Sequence, residues 1–407
     1  MTNIEHGPYE QQISDGIDFY KASMSQVAYN LHPETSVTFA LKNRNNTEPL
    51  LEYIDPQTLQ ARLDTIASRG FSGQEVAYLA SVMGSDGPLF SAEYLDYLAD
   101  TPLPPTQVAI DESTNDIAIS ASGDWPIVSF WETVVMSEVN ELYFETFCRK
   151  NNIDVMDLYD EGDAKLTEKI AILKETPGIR FSDFGTRRHF SYRWQKHVVE
   201  RLQQELPGQF IGTSNIGLSK TIGMQPIGTF AHEMPMVYAA IADTQGTDIK
   251  ASHGEMLDDW HAQYGEDLAI ALTDTFGSDF FFADFGAERA AAWRGVRHDS
   301  GDPIAFGEKT IAFYAAHGID PTTKTIVFSD GLDCKEIVHL YQHFNGRVRL
   351  VFGWGTTLTN DLGIPALNIV MKAVAANGES TVKLSDVAGK HTGTPEKIAE
   401  YRDAFAS

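Results

Sequence analysis

Ile326-Val327-Phe328-Ser329-Asp330-Gly331 is the stretch that decides the fold. Three apolar residues break off at a serine and an aspartate. A short apolar run ending in a polar tag is how a parallel strand reads when both its faces are buried and its carboxyl end opens into a site. Six further runs between residues 179 and 355 follow the same rule. Residues 179–181 lead into Ser182-Asp183-Phe184-Gly185-Thr186-Arg187-Arg188, residues 210–211 into Gly212-Thr213-Ser214-Asn215, and residues 227–230 into Ala231-His232-Glu233. Residues 268–272 lead into Thr273-Asp274-Thr275, residues 295–296 into Arg297-His298-Asp299-Ser300-Gly301, and residues 348–352 into Gly353-Trp354-Gly355-Thr356. Seven such runs with helix-length spacers predict an α/β barrel with its chemistry on one rim.

Outward from this core, residues 193–206, 261–264 and 303–317 carry helical periodicity. Residues 367–376 form one more apolar run, a candidate eighth strand, and Asn377-Gly378 then predicts a hairpin turn into residues 380–384. Residues 398–405 read as a closing helix. Before the barrel the pattern is mixed: strands at 37–41, 117–119 and 127–130, helices at 75–83 and 91–98. This points to a separate α+β unit. Residues 131–147 form a long amphipathic helix, and residues 154–174 another, interrupted at Glu161-Gly162-Asp163.

The length of 407 residues suits two domains, or one barrel with additions. No apolar run reaches membrane-spanning length, and Met1-Thr2-Asn3-Ile4-Glu5-His6 lacks the basic-then-apolar pattern of a signal peptide. Cys148 and Cys334 stand far apart, which argues against a disulfide framework or zinc site and for a reducing cytoplasm. The net charge of -26 argues against nucleic-acid and anionic-membrane partners. An anionic substrate could bind only where a few basic groups reverse the local field. Arg187, Arg188, Lys220 and Arg297 lie in or beside the strand-end tags and are candidates, against the plainer reading of solvated surface charge.

Gly353-Trp354-Gly355-Thr356-Thr357 is a candidate phosphate cradle, because glycines let backbone N–H groups approach an anion. A simple strand-to-helix turn is the alternative. Residues 212–220 mimic a nucleotide-binding P-loop, but Gly217 is followed by Leu218 rather than Lys, so that reading fails. His232 ends an apolar run, as a structural histidine or as a nucleophile or general base. Arg297-His298-Asp299-Ser300-Gly301-Asp302-Pro303 suits a helix start capped by Ser300 or Asp302, with Pro303 in the first turn. Asp299 and Asp330 could grip sugar hydroxyls or a divalent metal, as could Asp183, Asp274 and Asp284. Phe184 packs in the core or stacks on a flat ring.

Taken together, these strings resemble nicotinate phosphoribosyltransferase, of the type II phosphoribosyltransferase family. They are Asp183-Phe184-Gly185-Thr186-Arg187-Arg188, Gly212-Thr213-Ser214-Asn215, Gly228-Thr229-Phe230-Ala231-His232-Glu233, Thr273-Asp274-Thr275-Phe276-Gly277, residues 297–303, Phe328-Ser329-Asp330-Gly331-Leu332-Asp333 and Phe352-Gly353-Trp354-Gly355-Thr356. Asp18-Phe19-Tyr20-Lys21 and Lys383-Leu384-Ser385-Asp386 with Gly389-Lys390 also fit. The resemblance implies an irregular, quinolinate phosphoribosyltransferase-like α/β barrel over residues 141–377. It implies an α/β sandwich domain over residues 1–140, joined by 378–407, and a cytoplasmic homodimer with its site near the interface. The implied reaction joins nicotinate to 5-phosphoribosyl 1-pyrophosphate, gives nicotinate mononucleotide and pyrophosphate, and serves NAD salvage. ATP would be co-substrate, acting through a phosphorylated His232, and Mg²⁺ would neutralise the leaving pyrophosphate.

By the same resemblance, Phe184 stacks on one ring face and Tyr20 of a partner subunit covers the other. Arg297 lies near the ring carboxylate and Arg187 near phosphate. Asp299 and Asp330 hold ribose hydroxyls; Gly353, Gly355 and Thr356 cradle the 5-phosphate. Ser214 stands where the related nicotinamide enzyme carries Asp, which would repel a carboxylate, so nicotinate is favoured over nicotinamide. Quinolinate would call for a denser basic cluster. Trp354 in place of a smaller aliphatic is expected to narrow the cradle. His189 stands where a third arginine is common, and Ile17 where Thr is usual. A ligand sensor on the same fold, or a purely structural acidic barrel, are the competing classes.

Overall fold

The computed structural model describes residues 12–44 and 49–406. Residues 1–6, read above for a leader, lie outside them. Thirteen strands occur among the described residues. The first five are β1 (Ser36–Asn43), the small hairpin β2 (Met83–Gly84) and β3 (Gly87–Pro88), β4 (Thr106–Asp111) and β5 (Asp116–Asp124). Six short parallel strands follow: β6 (Phe181–Asp183), β7 (Phe210–Thr213), β8 (Ile270–Leu272), β9 (Gly295–His298), β10 (Thr325–Phe328) and β11 (Arg349–Trp354). The chain then adds β12 (Ile369–Ala376) and β13 (Glu379–Ser380).

The parallel sheet has the order β7-β6-β11-β10-β9-β8. Its register levels the carboxyl ends. Phe328 stands opposite both His298 and Phe352, and Gly353 opposite Ser182. The tags that follow therefore meet on one rim. Alternation sorts their side chains: His298 is buried among the rings of Phe306 and Phe328, while Arg297 and Asp299 face the barrel interior. Asp302 caps the helix Pro303–Ala316, accepting from the backbone of Ile304 and Ala305, so the cap is Asp302 and not Ser300.

Three strand expectations need correction. Residues 227–230 form no strand; this stretch is extended chain tied to β7 by Ile227 N donating to Thr213 O at 3.0 Å. Pro226 lacks the N–H that a ladder needs, and Gly228 contributes no side chain to a pleat. The barrel is irregular at that point, with six parallel strands. Residues 367–376 supply no eighth barrel strand and so take the end of the expected 141–377 unit out of the barrel. β12 pairs antiparallel with β1 in the sheet β13-β12-β1-β5-β4. Its alternating burial suits a half-buried antiparallel strand. The Asn377-Gly378 turn forms as expected, both residues at positive φ, and leads into β13. Residues 127–130 are helical: Trp125–Val128 carries Pro126 in its first turn.

The helix Val155–Lys174 runs unbroken through Gly162. A Cβ there would stand 2.7 Å from the Trp194 ring, so the glycine marks a close approach and not a break. The helix Pro395–Phe405 touches both parts: Phe405 stacks on Phe276 at 4.0 Å, and Lys397 pairs with Glu379 of β13 at 3.6 Å. Among the described residues no helix is long and apolar enough to cross a membrane. Cys148 and Cys334 are buried and unbridged.

Gly162→Ala should destabilise the fold by roughly 1–3 kcal/mol through overpacking against Trp194, although alanine favours a helix over glycine by about 1 kcal/mol. Urea melts of the two proteins test this; a variant as stable as its parent would mean the Trp194 ring gives way freely.

Candidate active site

The rim encloses a cavity of about 580 Å³. Of the residues singled out above, Tyr20, Phe184, Arg187, His232, Arg297, Asp299, Asp330, Gly353, Gly355 and Thr356 line it. Arg188 does too, with Arg44, Glu132, Met136, Lys372, Lys383 and Lys390.

The loop after β6 is held from beneath. Asp183 is fully buried and accepts from Gly185 N at 2.8 Å, Gln195 Nε2 at 2.7 Å and Thr213 Oγ1 at 2.7 Å. Burial pushes its carboxyl up to about 6 against those three donors. Phe184 N donates to Trp354 O, and the ring lies so close to Gly353 that a Cβ there would meet it at 2.4 Å. Glycine at 353 is thus required by the aromatic ring as much as by any ligand. Trp354 does not narrow the cavity: its indole is buried outside the lining and donates to Thr357 Oγ1 at 2.6 Å.

Arg187 reaches across the cavity floor. It donates through Nε to Asp18 Oδ2 at 2.9 Å and through Nη1 to Glu132 Oε1 at 3.3 Å, with its guanidinium 5.2 Å from the Tyr20 ring centre. Tyr20 of this chain is among the lining residues. Ser214 is not. It is buried off the lining, and its hydroxyl donates to Asp18 Oδ1 at 2.6 Å. Asp18 in turn accepts from Arg187, so the hydroxyl is one bond removed from the lining. Beneath them, buried Lys21 pairs with both Glu132 and Glu233, and Trp125 Nε1 donates to Glu233 at 2.7 Å.

His232 begins the helix Glu233–Gln245 and is the hub of the far wall. Nδ1 meets Thr275 Oγ1 at 2.9 Å; Nε2 meets Asp299 Oδ2 at 3.0 Å and Lys383 Nζ at 2.8 Å. One nitrogen cannot both donate to Asp299 and accept from Lys383, so the tautomer decides which bond exists. Burial, reinforced by Lys383, pushes the imidazole down to about 4, and it is neutral at pH 7. Burial alone would raise Asp299, but the hydrogen bond from His232 and the charge of Arg297 hold it well below the carboxylate range. Ser329 Oγ donates to its Oδ1 at 3.0 Å. Lys390 bridges to Asp330 at 2.7 Å and to the Asp299 carbonyl at 3.2 Å.

Two buried polar atoms point to a missing ligand. Arg297 Nε and Asp274 Oδ1 have no hydrogen-bond partner among the described residues. His232, Asp274 and Asp299 offer ligand atoms within 4.8 Å of one another. The antiparallel sheet adds Arg44 and Lys372; burial, with Lys383 and Arg44 nearby, pushes Lys372 down to about 7. These two cations escaped the sequence reading. Arg44 follows the apolar run 37–41, and the strand-end rule applied there would have found it. Lys383 and Lys390 sat in the resembling strings without a role. Three candidates fall elsewhere: Asp183 is structural, Asp284 pairs with His253 at 2.7 Å, and Lys220 lines a separate cleft with Lys196.

Comparison with known proteins gives one answer. Residues 179–407 match the profile of the nicotinate phosphoribosyltransferase (NAPRTase) family, and residues 17–140 that of its N-terminal domain. A nicotinate phosphoribosyltransferase from Porphyromonas gingivalis is 30% identical, with a TM-score of 0.88 over 98% of this chain and 100% of that one. The Vibrio cholerae enzyme is 32% identical, with a TM-score of 0.86 over 97% of this chain and 93% of its own. A putative nicotinate phosphoribosyltransferase from Saccharomyces cerevisiae is 26% identical, with a TM-score of 0.85 over 98% and 99%.

Asp183 should leave a pH signature. Its carboxyl is raised from 3.8 to about 6, so the folded state binds the proton more tightly than the unfolded chain. Its contribution is fully present below the unfolded value and is lost as pH rises through the folded one. Asp183→Asn should remove that slope from stability curves recorded between about pH 4 and 6, and should cost roughly 1–3 kcal/mol at neutral pH by leaving a donor unpaired. An unchanged slope would exclude the raised carboxyl.

Proposed function

Because the chain belongs to the nicotinate phosphoribosyltransferase family, we propose that this rim carries out the family reaction with the residues assigned below. The protein is an enzyme that joins nicotinate to 5-phosphoribosyl 1-pyrophosphate, forming nicotinate mononucleotide and pyrophosphate in NAD salvage. One observation carries the assignment. In a chain of net charge -26, seven basic side chains line one cavity: Arg44, Arg187, Arg188, Arg297, Lys372, Lys383 and Lys390. Such a reversal of local field is what a substrate with a carboxylate, a phosphate and a pyrophosphate needs.

The pyridine nitrogen lone pair attacks the anomeric carbon while the bond to pyrophosphate oxygen breaks, and that oxygen takes the electron pair. No base is required; the work is alignment and charge stabilisation. Phe184, pressed on Gly353, offers one face to the pyridine ring, and Tyr20 the other. Arg297, whose Nε lacks an acceptor, receives the ring carboxylate. Arg187 lies toward phosphate. Asp299 and Asp330 hold ribose hydroxyls, and Gly353, Gly355 and Thr356 the 5-phosphate. Discrimination against the amide rests on Arg297 and on Ser214, where an aspartate would repel the carboxylate.

Mg²⁺ prefers oxygen ligands, and the Oδ1 of Asp274, buried without a partner, together with Asp299 fits that preference. Bound there, it would neutralise charge on the departing pyrophosphate. ATP enters through His232. In the tautomer with Nδ1–H donating to Thr275, the bond to Asp299 is given up and Nε2 turns its lone pair to the cations; that lone pair attacks the γ-phosphorus, the bond to the β–γ bridging oxygen breaks and ADP leaves. Water later cleaves the phosphorus–nitrogen bond. A homodimer in the cytoplasm completes the reading. The two unbridged cysteines suit that compartment, and light scattering tests the assembly.

The direct test mixes protein, nicotinate, phosphoribosyl pyrophosphate and Mg²⁺ with and without ATP, and follows mononucleotide and ADP. Product should rise with ATP and ADP should appear in step; product from nicotinamide alone would overturn the acid preference. His232→Ala should keep slow transfer and lose the ATP stimulation. Label transfer from γ-labelled ATP to the protein should persist down to about pH 5, because the imidazole stays unprotonated above about 4. Arg297→Gln should raise KM for nicotinate roughly 10- to 100-fold, the worth of a charge-assisted hydrogen bond.

A further inference from the structure

Trp354 sits on the rim but turns away from the cavity, and the destination of its indole N–H is informative. Nε1 donates to Thr357 Oγ1 at 2.6 Å, and that hydroxyl donates in turn to Leu332 O at 2.6 Å. Leu332 belongs to the loop after β10, which carries Asp330. Thr357 belongs to the turn of helix Thr356–Thr359 that follows β11, with Gly355 and Thr356 at its start. Both Leu332 and Thr357 line the cavity. The threonine hydroxyl has a single proton, already given to Leu332, so the indole must be the donor to it; the direction of the chain is set. A second anchor acts on the same residue: Lys169, from the helix Val155–Lys174, donates to Thr357 O and pairs with Asp361 at 3.0 Å. Its ammonium stands 5.6 Å from the Trp354 ring centre. The indole itself cannot drift, because it is fully buried and packed edge-on against Phe181.

We propose that Trp354 is a positioning residue that fixes the spacing between the sugar-holding and phosphate-holding loops, and so sets affinity for the phosphorylated ribose without touching it. The proposal rests on the reading that these two loops take the phosphoribosyl group. The ring pocket, chiefly Phe184, Tyr20 and Arg297, meets Trp354 only through its backbone, where Phe184 N donates to Trp354 O; a side-chain substitution leaves that bond in place, so the effect falls on one substrate.

Trp354→Phe keeps an aromatic ring, removes the N–H and gives up part of the indole's volume. It should raise KM for phosphoribosyl pyrophosphate about 3- to 10-fold, the worth of one buried hydrogen bond, and leave KM for nicotinate unchanged. Thr357→Val should do the same, and Thr357→Ser should stay near the parent. The double variant Trp354→Phe with Thr357→Val should be no worse than Thr357→Val alone, since both remove one chain of bonds. Equal changes in both KM values, a loss of melting temperature alone, or additive effects would overturn the proposal. If Trp354→Phe fails to fold, the contrast between Thr357→Val and Thr357→Ser decides: equal behaviour of the two overturns it. Failure of the parent protein to bind phosphoribosyl pyrophosphate by calorimetry would instead remove the reading beneath it.

Discussion

A buried ammonium holds the architecture together. Lys21 has no exposed surface and lies between Glu132 and Glu233, two carboxylates from different parts of the molecule. Its own helix, Phe19–Leu31, precedes the antiparallel sheet; Glu132 starts the helix Trp131–Lys150, and Glu233 the helix Glu233–Gln245 on the barrel. Burial would neutralise both acids if they stood alone. Lys21 and Arg187 hold Glu132 charged, while Glu233 remains raised, with Glu132 nearby. An ion group of this kind adds little net stability against a well-packed apolar alternative, but removal of one member leaves a charge stranded in low dielectric. What it specifies is position. Glu233 follows His232 directly, so the network that joins the two sheets also sets where the imidazole stands.

The same logic explains how a strongly acidic protein keeps an anion site. The cations of the cavity come from both sheets: Arg187, Arg188 and Arg297 from the parallel strand ends, Arg44 and Lys372 from the antiparallel ones. Crowded and partly desolvated, they repel one another, which is why burial and neighbouring charge push Arg188 down to about 10 and Lys372 to about 7. That repulsion is relieved when an anion arrives. The carboxylates at the rim, Asp299 and Asp330, offset part of that positive charge.

Much of this is legible in the sequence. A parallel strand buried on both faces has to be apolar and has to stop where the site begins, so the tags at 182–188, 297–303 and 329–331 announced themselves. Pattern failed where the deciding fact is a contact. Residues 227–230 look like their neighbours, but Pro226 and the approach of Gly228 to the backbone of Tyr20 forbid a ladder. The apolar run 369–376 carries no mark of which sheet it joins. Ser214 was placed on the right loop, yet a hydroxyl's partner depends on where Asp18 arrives from 196 residues away.

The irregular stretch before His232 has a bearing on how the chain folds. β7 and β8 are the two edges of the parallel sheet, and the extended residues between them close the wall without ladder pairing. The gap is sealed from the amino-terminal side: Ser23 Oγ donates to Thr229 O at 3.0 Å, across a separation of 206 residues. The barrel wall is thus completed by a helix made long before it. On the ribosome that helix emerges first and must wait for most of the parallel strands, a long-range closure of the kind that slows folding. The border between the two sheets is an architectural division, and it is not a place where the chain can be cut into pieces that mature separately.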